Sequence, residues 1–335
     1  MKRTKNKFFD AQKPKKNQKI SLANKAFPVK TIILGLLLIA LIGCQQEGKT
    51  VSIEEPFIGG TQGLVFDFAQ LREEVYDAGT DPFDISLKIE NKGETTINQD
   101  NIKITLSGIN PAEFSVTENQ LSKTASENII SMRKDTMGNI QPGPPVFVDF
   151  ENLKYTEKIT GTSIDFPLRA NICYLYNTKA ISKLCVRKNV LTATEGICQI
   201  NEEKPIFNSG APIQISQLVE NARSKAKIGF SFEIRNMGTG TAYQRGTVCD
   251  KQTRKNRDKI YLRVETNMPG ITCTGLENKG TRAEGYTTLF DGVKTITCTQ
   301  PVPGNIDFEQ IVGIEAFYDY EEFKQTKLTV KSSGE

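Results

Sequence analysis

The sequence predicts an all-β chain: two antiparallel β-sandwich domains behind an N-terminal signal or anchor segment. Three observations carry that reading. Short segments alternate apolar and polar residues with period two, as in Phe83–Asn91 (FDISLKIEN). Turn residues separate these segments at short intervals, and apolar spacing of helical period is almost absent. One apolar run, Thr31 to Gly43, divides a basic flank from a body that holds every cysteine.

The thirteen residues from Thr31 to Gly43 carry no charge. A helix needs roughly 20 such residues to cross a bilayer core, whereas a signal h-region runs about 7–15. The run ends in Leu41-Ile42-Gly43-Cys44, which resembles a lipobox, where a lipoprotein precursor is cut before a lipid-bearing cysteine. The chemistry needs a small residue at the cut, an apolar residue two positions before it, and a thiol. Cys44 is therefore the lipidation candidate. The alternative is an uncleaved signal anchor extended by Phe27 and Val29. On either reading the remainder is exported, and the membrane is a partner through that lipid or anchor. Ten Lys/Arg against the single acid Asp10 precede the run, which keeps that flank cytoplasmic.

Composition narrows the function classes. Without residues 1–43, the 43 basic and 39 acidic residues become 33 and 38, so the exported part is net −5. An acidic body argues against nucleic acid as a partner, since phosphate binding needs clustered positive charge. With no histidine, the commonest general base, the usual catalytic triads and most catalytic zinc sites are missing. Neither catalysis nor a cofactor is expected.

In chain order, residues 44–59 read as a polar tether. Gly63–Phe68 is the first strand, and Phe83–Asn91 the second, with Ile85, Leu87 and Ile89 on its buried face. Asn91-Lys92-Gly93 breaks that strand, because Asn and Gly tolerate positive φ. Ile102, Ile104 and Leu106 alternate again, and Phe114–Val116 and Val146–Phe150 read as shorter strands. Lys123–Pro145, polar and ending QPGPP, reads as a surface loop. Thr162–Tyr176 and Ala180–Arg187 follow as a hairpin turning at Asn177-Thr178-Lys179.

The second half repeats the first. Ile85 to Gly93 (ISLKIENKG) aligns without a gap on Phe230 to Gly238 (FSFEIRNMG), and the next alternating strand follows in both, Ile102/Ile104/Leu106 and Ile260/Leu262/Val264. The expected division is a 60–200 domain, a 201–210 linker and a 211–335 domain, each with its own core. The alternating strand ending in Asn-x-Gly resembles the immunoglobulin-like modules of archaeal and bacterial cell-surface proteins, including the CARDB-type adhesion-related domain. Cys173-Tyr174-x-Tyr176-x-Thr178-x-Ala180 with Cys185, and Gly210-Ala211-Pro212-Ile213, are similar to uncharacterised archaeal surface proteins. The resemblance implies immunoglobulin-like sandwiches in adhesion or envelope structure, and it carries over no catalytic residue.

If Cys44 is lipidated, Cys173, Cys185, Cys198, Cys249, Cys273 and Cys298 remain, and an oxidising compartment would pair them. No C-x-x-C pair occurs, which disfavours a metal cluster. A hairpin centred near Lys179 would join Cys173 to Cys185. The matching segments ITCTG and ITCTQ would join Cys273 to Cys298, leaving Cys198 with Cys249.

Other clusters read first as structure. Asp77, Asp81 and Asp84 surround a strand-entry turn, where capping outweighs calcium binding. Tyr318 to Glu322 reads as a solvated strand edge or loop. Tyr174, Tyr176 and Phe166 read as core or cross-strand pairs rather than a sugar-stacking face. Lys251–Lys259 (KQTRKNRDK) reads as a charged hairpin loop, with polyanion binding as the alternative. The expected function is a membrane-anchored protein on the outer face of the cytoplasmic membrane, binding or supporting a protein or an envelope polymer. The alternative is an accessory subunit of a secretion, pilus or surface-layer assembly.

Overall fold

The computed structural model describes residues 55–191 and 196–334. The basic flank, the apolar run, Cys44 and most of the tether lie outside the described residues. Among those described, no helix is long and apolar enough to cross a membrane.

Strands β1 (Leu64–Ala69), β2 (Glu74–Tyr76) and β3 (Phe83–Asn91) come first. Alternation in β3 buries Ile85, Leu87 and Ile89 completely. Strand β4 (Ile102–Ser107) buries Ile102, Ile104 and Leu106 in the same way. Phe114–Val116, expected as a strand, is a turn closed by Phe114 N–H on the Asn110 carbonyl and Val116 N–H on the Pro111 carbonyl. Its Phe114 ring packs edge-on against Phe83, Tyr155 and Phe166. The short β5 (Ser122–Lys123) ends on the first residue of the expected loop, and the hairpin β6 (Arg133–Lys134) and β7 (Ile140–Gln141) lies within it, before β8 (Val146–Leu153) and β9 (Ser163–Phe166).

Strand β10 (Arg169–Val186) corrects the expected hairpin. It is one strand of eighteen residues. Asn177, Thr178 and Lys179 do not turn but pair with Phe317, Ala316 and Glu315. An eighteen-pair ladder with a later strand outweighs the local turn preference of Asn-Thr-Lys. The expected linker also holds two short strands, β11 (Glu202–Lys204) and β12 (Ile206–Asn208). Then come β13 (Ile213–Ser224), β14 (Lys227–Asn236), β15 (Thr241–Tyr243), β16 (Lys259–Glu265), β17 (Thr272–Cys273) and β18 (Glu277–Asn278). The chain ends with β19 (Arg282–Thr288), β20 (Val293–Pro301), β21 (Phe308–Gln325) and β22 (Leu328–Lys331).

The largest sheet runs β18-β19-β16-β21-β10-β4-β5, with β12 also beside β10 and β15 beside β21. Two smaller sheets, β1-β3-β8 and β11-β13-β14-β20-β17, cover its inner face. This layering follows from sequence: even-numbered positions of β10 and β21 carry Tyr174, Tyr176, Tyr318 and Tyr320, all buried and facing inward. The expectation of two separate cores is corrected here. Residues 55–191 and 196–334 belong to one compact unit, and one continuous core runs from Leu64 to Val330. The physical reason is the β10–β21 ladder, which makes a single sheet of strands from both halves.

Within that unit the repeat is visible bond by bond. Leu64 N–H donates to Tyr174 Oη at 3.2 Å, and Ile213 N–H to Tyr318 Oη at 3.3 Å. Lys92 N–H donates to the Gly63 carbonyl and Met237 N–H to the Pro212 carbonyl, both at 2.8 Å. Asn91 accepts Gly93 N–H on Oδ1 and donates Nδ2 to the Thr95 carbonyl; Asn236 does the same with Gly238 and Gly240. Thr95 N–H reaches Tyr176 Oη, and Gly240 N–H reaches Tyr320 Oη.

Candidate functional site

Among the described residues, no second sheet is paired or packed over the outer face of the large sheet. Directly opposed residues of antiparallel strands point to the same side, so the ladders define what this face presents. Tyr286 of β19 pairs with Tyr261 of β16, Tyr261 with Phe317 of β21, and Phe317 with Asn177 of β10. The ring centroids of Tyr286 and Tyr261 are 5.0 Å apart and those of Tyr261 and Phe317 6.4 Å apart. Three aromatic rings therefore lie in a row across three strands. The Asn177 Oδ1 at the end of the row is buried without a hydrogen-bond partner.

Cations sit on these rings. The Arg245 guanidinium is 3.9 Å from the Tyr261 ring centre and 5.6 Å from that of Phe317. Arg263 lies 5.4 Å from Phe317, and Lys259 Nζ 5.1 Å from Tyr286. Each such contact contributes about 0.5–1 kcal/mol at an exposed site. Arg263 is occupied by Glu284 at 3.2 Å and Glu315 at 3.1 Å. Arg245 has no carboxylate partner among the described residues.

Two ties hold the Arg245 loop on this face. Asp319, 3% exposed, accepts Gly246 N–H at 2.9 Å and Val248 N–H at 2.7 Å. Burial raises its carboxyl above the ordinary range, while these amides and those of Cys249 and Thr247 pull it back. The second tie is the Cys173–Cys249 disulfide. Between them Val248 and Cys249 take left-handed φ values of 52° and 53°. For a β-branched valine that conformation persists only where the surroundings impose it. Beside the loop, a groove of about 630 Å³ is lined by Lys103, Lys123, Leu175, Val248 and Asp319, among others.

The other sequence-flagged residues fall elsewhere. Asp77 accepts Ile159 N–H and Ser333 N–H, which holds its carboxyl below the usual range. Asp81 pairs with Arg72, and Asp84 accepts Asn152 N–H. All three tie turns. Tyr318 to Glu322, expected as a solvated edge or loop, lie on the central strand β21, with Tyr318, Asp319 and Tyr320 buried. Tyr174 and Tyr176 are core, and Phe166 packs against it.

The disulfides are Cys173–Cys249, Cys185–Cys198 and Cys273–Cys298. Only the last was expected. Cys173 and Cys185 stand twelve residues apart on β10, roughly 40 Å at strand rise, so they cannot meet. Cys44 lies outside the described residues.

A second buried charged group adjoins the Cys185–Cys198 bridge. Glu220 is fully buried, accepts the Cys185 N–H on both oxygens, at 3.0 and 2.9 Å, and lies 3.3 Å from Lys204 Nζ. Burial pushes its carboxyl up to about 7, against the Cys185 amide and Lys204.

Sequence reading missed the row of Tyr261, Tyr286, Phe317 and Arg245. One signal was present. In GIEAFYDY, Tyr318 and Tyr320 continue the buried phase of Ile314 and Ala316, whereas Phe317 falls in the solvent phase.

No protein-family model matches the chain, and no curated protein matches it. A solved structure with some likeness is the secreted serine protease VesC from Vibrio cholerae, at 10% identity and a TM-score of 0.18, covering 77% of this chain and 51% of that one. The chain thus spans about half of that protein's length, and at this score the likeness carries no argument.

Proposed function

We propose that the chain is an exported, membrane-tethered surface protein. Its two immunoglobulin-like halves would serve binding or envelope structure, with Cys44 or an uncleaved anchor as the tether. The observation that carries the exported reading is the pairing of all six cysteines beyond Cys44, which belongs to an oxidising compartment. Support for a binding role comes from the open outer face, where aromatic rings and cations gather without a covering layer. No catalytic role is proposed.

The second reading, an accessory subunit of an envelope assembly, draws on β8. Among the described residues this eight-residue strand pairs with β3 alone, and it exposes Phe147. An edge of that length offers backbone groups to a partner strand. Mass spectrometry of the mature N-terminus, with a pull-down from detergent-solubilised membranes, tests both. A modified Cys44 or an intact anchor in the membrane fraction supports tethering, and stoichiometric co-purifying proteins favour the assembly subunit. A chain found in the cytosol with six alkylatable thiols contradicts both readings.

A further inference from the structure

We infer that the outer face of the large sheet, from Tyr286 across Tyr261 and Phe317 to the loop bearing Arg245, binds an acidic polysaccharide. The inference deepens the proposed function, which puts this face outside the cell.

The argument begins with charge. Residues 245–263 contain seven Lys/Arg and two acids, Asp250 and Asp258, within a body that is net acidic. Local pairing removes part of that charge: Lys251 bridges Glu321 at 2.8 Å, Arg257 meets Asp258 at 3.5 Å, and Arg263 is held by Glu284 and Glu315. Arg245, Arg254, Lys255 and Lys259 have no carboxylate partner among the described residues. Of these, Arg245 and Lys259 lie against the aromatic row, 3.9 Å from the Tyr261 ring centre and 5.1 Å from that of Tyr286, and can meet an anion there.

The rings decide what kind of anion. A pyranose has apolar C–H faces that lie flat on aromatic rings; with the Tyr261 ring under Arg245, the exposed Tyr286 ring, 5.0 Å from that of Tyr261 and inclined to it by 75°, offers such a surface beside the guanidinium. A uronic-acid carboxylate carried on such a sugar then falls within reach of a guanidinium already fixed over Tyr261. A membrane surface is the weaker occupant. Lipid-binding basic segments carry apolar side chains that insert beside the charges, and the ten residues from Asp250 to Lys259 contain none. The site is also held in shape before any ligand arrives, through Asp319 and Cys173–Cys249, which lowers the ordering cost of binding.

The test is titration of the full chain, in detergent, with polygalacturonate. Neutral dextran and phosphatidylglycerol vesicles form the comparison arms. Polygalacturonate should bind, weaken as salt rises, and exceed both comparisons. Arg245→Ala and Tyr286→Ala should each weaken it about threefold or more, and the double variant about tenfold. The melting temperature checks that both variants fold; should Arg245→Ala unfold, Lys259→Ala, which removes the cation beside Tyr286, replaces it with the same expectation. Binding no better than dextran, unchanged binding in the folded variants, or tighter binding to the vesicles overturns the inference. Protease accessibility on whole cells is read separately. A chain digested from outside that ignores polygalacturonate sinks the polysaccharide alone, whereas a chain protected inside the cell sinks the surface reading itself.

Discussion

Leu175 and Asp319 face each other across β10 and β21, and the two halves of the chain are related about that pair. On either side of it Tyr174 opposes Tyr320 and Tyr176 opposes Tyr318. Each tyrosine hydroxyl reaches the start of a covering strand or an Asn-x-Gly turn. At the pair itself the halves differ. The first half offers an apolar Leu175, and the second a carboxylate that fastens a loop. The repeat thus builds the scaffold, and the departure from it builds the binding face.

Gly93 and Gly238 are the points where this scaffold admits no side chain. A Cβ on Gly93 would collide with the Tyr176 hydroxyl and come within 2.6 Å of the Gly210 carbonyl oxygen. A Cβ on Gly238 would meet the Tyr320 hydroxyl and, at 2.8 Å, the Pro212 Cβ. Overpacking of this kind costs about 1–3 kcal/mol. Gly93→Ala should be the more damaging, because backbone rather than a ring end must move. Urea unfolding of both variants checks it, and Gly93→Ala with unchanged stability would contradict the close approach.

Phe232 is fully buried on β14 and stacked on Phe230 at 6.4 Å. Phe232→Ala should destabilise the protein by about 3–5 kcal/mol. Because the core is continuous, the loss should appear as one cooperative unfolding transition. Two separate transitions, with only the second shifted, would indicate independent domains.

Glu220 gives stability a pH dependence whose sign is fixed by its burial. Its carboxyl sits at about 7 when folded and near its ordinary 4.5 when unfolded. The folded state therefore holds the proton more tightly between those values. The stability this contributes is full below about pH 4.5 and is lost as pH rises through about 7. Glu220→Gln should remove that fall, of which about 2–3 kcal/mol lies between pH 5 and 8, from the difference between variant and parent. Unfolding curves measured from pH 5 to 8 decide it, and parallel profiles would refute the assignment.

Much of this was legible in the sequence, for identifiable reasons. The six alternating side chains Ile85, Leu87, Ile89, Phe230, Phe232 and Ile234 are all fully buried, because period-two patterning fixes which face of a strand points inward. The Asn-x-Gly match located the repeat, since each Asn side chain takes the N–H two residues on and each Gly lies against a tyrosine hydroxyl that leaves no room for a side chain. The long strand was not legible. Asn177-Thr178-Lys179 reads locally as a turn, and only its partner on β21, some 140 residues away in sequence, makes it strand. That error hid the continuous core and displaced two disulfides. The aromatic row was missed because its members come from three strands whose order in the sheet no local pattern specifies.

The most direct measurement is a non-reducing peptide map of the mature protein. A single body with its loop fastened across both halves predicts peptides joining Cys173 to Cys249, Cys185 to Cys198 and Cys273 to Cys298. Cys173–Cys249 is the decisive one, because it ties β10 to a loop 76 residues later, on the far side of the repeat. A peptide joining Cys173 to Cys185 would contradict the account, since those residues meet only if β10 folds back on itself as a hairpin.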